Sequence, residues 1–154
     1  DVVRAEIDAD ESFPDILRWN NLWSIEAENL PASMPLAVRN GLIRRRGELI
    51  EQGYQIDGEP LMGAAGRGAS DINNVSLQGG TTYAIIAVCD EECGDIDLRI
   101  SGTADSALAE DVNPDATPIL EFAAPETGMY SLDMIMFNCR SRACSWGGQI
   151  LRKN

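Results

Sequence analysis

A series of short strand-like runs, with no helical pattern between them, places the strongest constraint on how this chain can fold. Residues 82–89 are almost continuously apolar, and residues 95–100 alternate between charged and aliphatic side chains. Because successive residues of a strand face opposite sides of a sheet, the alternation predicts one buried face and one polar face. Repeated short strands predict a mainly β chain folded as an antiparallel, jelly-roll-like β-sandwich. The predicted strands are Val75–Gln78, Thr82–Cys89, Asp95–Ser101, Ile119–Phe122, Met129–Asn138 and Gly148–Arg152.

The chain before these strands has the pattern of helices. Ser12 with Pro14, and Ser33 with Pro35, are two helix-start signals, and Gly53 is suited to a helix C-terminus. The second helix is predicted to bury Leu36, Leu42, Ile43, Leu49 and Ile50. We therefore predict a helical segment over residues 1–58, a Gly-rich connector over 59–72 and the sandwich over 73–154. Three consecutive arginines at 44–46 are interpreted as a solvated helix face.

Four cysteines lie in two pairs close in sequence, and an even number of this kind is typical of disulfides in an oxidising compartment. The alternative is a zinc site with four thiolate ligands, although zinc sites favour tighter spacing within each pair. Of the three possible disulfide pairings, the two local ones are our first prediction: Cys89–Cys93 and Cys139–Cys144. Disulfides predict a periplasmic or secreted protein.

Charge and missing residue types exclude several functions. The chain has 12 basic and 25 acidic side chains, a net charge of −13, which argues against binding to nucleic acid. It has no histidine, so catalytic triads and histidine-ligated zinc are excluded. No apolar run approaches transmembrane length. We predict a protein that is not an enzyme; an acid/base hydrolase using the carboxylates is the distant alternative.

A group of acidic residues within and after the predicted strands could hold a cation. Calcium takes six to eight oxygen ligands, which carboxylates supply. An EF-hand is rejected because Ala116 and Phe122 stand where that loop needs glycine and glutamate. The sequence predicts a possible Ca²⁺ site, against the alternative of a solvated acidic rim. Its candidate ligands are Asp90, Asp95, Asp97, Asp111 and Asp115.

The order of three segments resembles the bacterial pre-peptidase C-terminal domain. They are Gly80 to Val88 with Tyr83 in its strand, Asp95-Ile-Asp97-Leu98, and Phe122-x-Ala-Pro-x-Thr-Gly-x-Tyr130. The resemblance covers about residues 73–152. It implies a jelly-roll-like sandwich that serves as a binding or targeting module of exported proteins, sometimes with calcium, and it matches Asp95 and Asp97 to the family's acidic strand. The four cysteines and the N-terminal helical segment depart from the family pattern.

These observations predict an exported, non-enzymatic binding or accessory module, with a protein or polysaccharide partner and calcium as a possible stabilising ion. The alternative is a subunit of an exported assembly. In that case the N-terminal helices, with Trp19 and Trp23, would dock on another chain, because tryptophans are frequent interface anchors.

Overall fold

One helix and eight strands make up the described part of the chain. The structure, a computed structural model, describes residues 30–103 and 106–153. In chain order the elements are α1 (Leu36–Glu51), β1 (Gln55–Ala65), β2 (Ser70–Leu77), β3 (Thr82–Cys89), β4 (Cys93–Ser101), β5 (Ala107–Asp111), β6 (Ile119–Ala123), β7 (Gly128–Cys139) and β8 (Cys144–Lys153).

The strands form two antiparallel sheets of four strands each. The first sheet has the order β1-β8-β3-β6 and the second has the order β2-β7-β4-β5. Consecutive strands lie in different sheets, with the exception of β4 and β5, and this is the strand order of an eight-stranded jelly roll. The predicted fold class is therefore confirmed: a mainly β, antiparallel sandwich preceded by a helix.

Strand β3 lies at the centre of the packing because both of its faces are covered. Tyr83, Ile85 and Ala87 belong to the core between the two sheets. Ala84, Ile86 and Val88 belong to a second core, between the first sheet and α1. A strand buried on both faces needs apolar residues at every position, which explains the unbroken apolar run in the sequence.

Helix α1 packs on the outer side of the first sheet and ends as its sequence predicts. Gly53 has a φ of 96°, its N–H donates to Ile50 O at 3.0 Å, and Tyr54 N–H donates to Leu49 O at 3.1 Å. These two bonds form a Schellman motif, which satisfies carbonyls at the helix end. The predicted apolar face is wrong at one end: Leu36 is 71% exposed, and Val38 is buried instead.

The interpretation of the three arginines as solvated is wrong for one of them. Arg46 is fully buried between α1 and the first sheet, and its guanidinium donates to Gln149 Oε1. Gln149 Nε2 in turn donates to Gly58 O at 3.1 Å. Arg45 reaches a different loop, donating to Thr117 O at 2.8 Å. Of the three arginines, only Arg44 is exposed.

The predicted connector over residues 59–72 is also wrong, because β1 and the start of β2 occupy most of it. Gly58 and Pro60 lie in an edge strand, at a register shift between Asp57 and Leu61. Gly63 lies where a strand must approach a large ring: a Cβ there would be 2.9 Å from Trp146 Cζ2. Only the turn at residues 66–69 connects the two strands.

Candidate functional site

Two disulfides fix one end of the sandwich. Cys89 pairs with Cys93 at an S–S distance of 2.00 Å, and Cys139 pairs with Cys144 at 2.05 Å. The predicted local pairing is confirmed, and the thiolate zinc site is excluded because the four sulfurs are bonded in two disulfide pairs.

Each disulfide joins the two sheets. The first connects the end of β3 to the start of β4, and the second connects the end of β7 to the start of β8. Cys93 and Cys139 are opposite each other in the β4–β7 register, so the two bridges lie side by side. Closing loops this short contributes roughly 2 kcal/mol of stability per bridge through the entropy of the unfolded chain.

Asp95 and Asp97 lie on β4 as the sequence predicts, with Ile96, Leu98 and Ile100 turned into the core on the other face. Both aspartates are only 8% exposed. The Oδ1 atom of each is buried and has no hydrogen-bond partner. Burying a carboxylate oxygen without a hydrogen-bond partner costs free energy, so a proton or a bound cation would stabilise this pair.

The electrostatic surroundings of the pair are acidic. Burial raises the pKa of the Asp95 carboxyl; a hydrogen bond from the Asp115 backbone lowers it, and the charges of Asp115 and Asp111 raise it further. Burial also raises the pKa of Asp97, and the neighbouring charge of Asp95 adds to the effect. Both carboxyls therefore hold a proton more readily than an exposed aspartate does.

The other three predicted ligands are engaged with the backbone. Asp90 Oδ2 accepts Ser145 N–H at 2.7 Å, and its Oδ1 accepts Glu92 N–H. Asp111 Oδ1 accepts Asn113 N–H at 3.0 Å, and its Oδ2 accepts Ile119 N–H at 2.9 Å. Asp115 Oδ1 accepts Thr117 N–H at 2.8 Å. These carboxylates hold turns in shape, as aspartates at turns commonly do.

The five predicted ligands do not form one metal centre. Over residues 30–103 and 106–153, no three histidine, cysteine, aspartate or glutamate side chains meet in an arrangement that could hold a metal ion. Of the five, only Asp95 and Asp97 have a buried Oδ1 atom without a hydrogen-bond partner and so remain candidate cation ligands.

A surface cleft of about 310 Å³ lies at the far end of the sandwich. Its described lining includes one carboxylate, Glu126, and the ring of Tyr130. The Tyr130 hydroxyl already donates to Glu126 O at 2.6 Å, which closes the turn before β7 and leaves Tyr130 4% exposed. Paired carboxylates flanking a sugar, as a hydrolase needs, are not present among these lining residues.

The predicted partner-binding tryptophans, Trp19 and Trp23, lie outside the described residues. The helix that is described, α1, is not available for docking through its apolar face, because that face covers the first sheet. Trp146 is 1% exposed, and its indole N–H donates to Asp71 Oδ2 at 2.6 Å. None of the described helices is long and apolar enough to cross a membrane.

The sequence prediction missed a group of exposed apolar side chains on the outer face of the second sheet. Ile72 on β2 is 67% exposed and Phe137 on β7 is 61% exposed. Ile135, two residues before Phe137 on the same face, is half-buried between them. We call these three residues the apolar strip. The signal was available, because residues 134–137 of β7 are apolar on both faces rather than alternating.

No protein-family model matches this chain, and no curated protein matches it. Among solved structures, the chain is similar to the periplasmic inhibitor of g-type lysozyme, PliG, from Aeromonas hydrophila, with 10% identity and a TM-score of 0.46. The match covers 66% of this chain and 87% of the inhibitor. PliG from Salmonella Typhimurium is similar with 16% identity and a TM-score of 0.41, over 66% of this chain and 92% of that one. The resemblance to the pre-peptidase C-terminal domain stays a prediction.

Proposed function

We propose that this chain is an exported, non-enzymatic module that binds another protein. The observation that carries the proposal is the disulfide-bridged end of the sandwich, where Cys89–Cys93 and Cys139–Cys144 join the two sheets. Disulfides that hold the architecture persist in the periplasm or outside the cell and are rare in a reducing cytosol. A rigid sandwich that displays surfaces and loops is suited to binding.

The described surface favours a protein partner over a polysaccharide. Sugar-binding faces rely on exposed aromatic rings, and among the described aromatic residues only Phe137 is a large exposed side chain. Tyr54, Tyr83, Tyr130 and Trp146 are buried. One ring beside aliphatic side chains is more typical of a contact between proteins.

Export is tested by producing the chain with and without an added export signal and alkylating free thiols before purification. The proposal predicts that the exported protein takes up no label and that the cytosolic protein takes up label and unfolds at a lower temperature. Equal stability, with free thiols in both samples, would contradict it.

The absence of enzymatic activity and the class of partner are tested together. Soluble cell-wall polysaccharides are incubated with the protein and with an Asp95→Asn/Asp97→Asn variant, and both hydrolysis and binding are measured. We expect neither. Hydrolysis that disappears in the variant would show an enzyme, and tight binding without hydrolysis would show a polysaccharide module.

We also propose that Asp95 and Asp97 provide the protein ligands of a stabilising Ca²⁺ ion. The support is the pair of buried Oδ1 atoms without partners on one face of β4. Two carboxylates supply fewer oxygens than calcium takes, so water would complete the coordination. Millimolar Ca²⁺ should raise the melting temperature of the wild type and of a Glu126→Gln control, but not that of Asp97→Asn. The absence of any shift in the wild type would remove the ion from the proposal.

A further inference from the structure

The two outer faces of the sandwich differ in a way that points to the second sheet as an interaction surface. The outer face of the first sheet is closed by α1, which buries Ala84, Ile86, Val88 and Leu151. The outer face of the second sheet carries the apolar strip, and Ile72 and Phe137 remain mostly exposed there. Scattered single exposed apolar residues are ordinary, whereas a contiguous exposed apolar patch marks an interaction site.

The strand register places the two isoleucines of the strip next to one another, and Phe137 follows on β7. Ile135 lies opposite Ser70 in the β2–β7 pairing, and Ile72 lies opposite Asp133, so the two isoleucines are diagonal neighbours. Diagonal neighbours on antiparallel strands are about 7–8 Å apart. Phe137 follows Ile135 by two residues; it is the unpaired residue of a β-bulge, because Asp95 and Ile96 pair with Asn138 and Met136, and its side chain is 61% exposed.

Carboxylates flank the strip directly. Asp133 of β7 lies opposite Ile72 of β2 on one side and opposite Arg99 of β4 on the other, and Asp97 of β4, which is only 8% exposed, lies opposite Ile135 of β7. Each isoleucine therefore has an aspartate as its cross-strand neighbour, in a chain whose net charge is −13. A second copy of the chain would bring like charges together at this face, whereas basic side chains would complement it.

We propose that the apolar strip is where the module binds its protein partner, and that the partner presents a segment carrying both apolar and basic side chains. This inference rests on the proposed binding function and adds the surface and the chemistry of the partner. Apolar side chains of the segment would cover Phe137 and Ile72, and its basic side chains would lie towards Asp133.

The test uses three synthetic heptapeptides as probes and the full chain as receptor. One peptide alternates lysine and leucine, the second alternates lysine and serine with the same charge, and the third alternates glutamate and leucine. Affinity is measured by fluorescence anisotropy, and the contact surface is mapped by amide chemical-shift changes. The lysine–leucine peptide should bind at least about tenfold tighter than either other peptide, and covering two large side chains is enough for that difference. The shifts should centre on β2 and the second half of β7.

Matched variants separate the strip from general charge attraction. Phe137→Ser and Ile72→Ser should each remove the preference for leucine over serine. Met129→Ser is the control, because Met129 is on the same strand, is 55% exposed and lies at the opposite end of β7. The Met129→Ser variant should still bind the lysine–leucine peptide more tightly than the lysine–serine peptide.

The inference would be overturned by equal affinity for the two lysine peptides, by shifts that map away from the strip, or by an equal loss in Met129→Ser. It would also be overturned by self-association of the free protein that Phe137→Ser abolishes. The last would assign the strip to a second copy. Binding of a protein partner at another surface would show that the strip is not the binding site and would leave the proposed binding function intact.

Discussion

Replacing Gly41 with alanine should destabilise this protein, although the same change stabilises most helices. In an exposed helix interior, glycine to alanine contributes about 1 kcal/mol of stability. At Gly41, however, a Cβ would lie 2.6 Å from Val88 Cγ1. Carbon atoms prefer about 3.5–4.0 Å, so α1 or β3 has to move by about 1 Å. Such overpacking costs about 1–3 kcal/mol, which leaves a net loss of about 1 kcal/mol.

A double-mutant cycle tests this reasoning by urea unfolding. Val88→Ala removes the methyl group that Cβ would strike and alone costs about 2 kcal/mol, because Val88 is buried. In the Val88→Ala background the clash is gone, so Gly41→Ala should now stabilise by up to about 1 kcal/mol. The sign of the Gly41→Ala effect should thus reverse between the two backgrounds. Stabilisation in both would refute the close contact between α1 and β3.

Three further predictions concern the disulfides, the buried arginine and the buried carboxylates. Cys139→Ser/Cys144→Ser should lower the free energy of unfolding by about 2 kcal/mol, measured in urea without reductant; no change would mean that the bridge does not restrict the unfolded chain. Arg46→Met should cost about 3 kcal/mol because it removes a buried hydrogen-bond donor to Gln149, whereas Arg44→Met at an exposed position should cost less than about 0.5 kcal/mol; equal effects would contradict the burial. The raised pKa of Asp97 means that its stability contribution is complete below the ordinary carboxyl pKa of 3.8 and is lost as the pH rises through the folded value. The free energy of unfolding of Asp97→Asn, relative to that of the wild type, should therefore be higher near pH 8 than near pH 3.5 in calcium-free buffer. An equal difference at the two pH values would contradict the raised pKa.

The parts of the fold that follow from local pattern could be predicted from the sequence. Strand β3 is predicted with its observed bounds because its apolar run is continuous, and the local disulfide pairs follow from the short spacing of the cysteines. Gly53 is predicted as a helix end because a left-handed residue is needed there.

The parts of the fold that depend on tertiary neighbours could not be predicted from the sequence. Strand β1 covers residues predicted as the end of the helical segment (55–58) and as connector (59–65); its Pro60 is tolerated at a sheet edge, and its Gly63 is required beside Trp146. Burial of Arg46 depends on Gln149, which lies 103 residues later in the sequence.

The candidate site likewise has parts that the sequence predicts and parts that depend on tertiary contacts. Asp95 and Asp97 share a face of β4 because alternation dictates it, whereas the engagement of Asp90 and Asp111 with backbone amides depends on how distant loops fold. The apolar run at residues 134–137 is visible in the sequence, whereas the addition of Ile72 to the apolar strip depends on the pairing of β2 with β7.

The most direct test of the account is a disulfide map of the native protein, obtained by proteolysis and mass spectrometry without reduction after free thiols are blocked. The account predicts two linked pairs, Cys89–Cys93 and Cys139–Cys144, and no labelled cysteine. Four labelled cysteines in the native protein would contradict export to an oxidising compartment. Crossed pairs, such as Cys89 with Cys144, would contradict the arrangement of the sandwich end on which the proposed function rests.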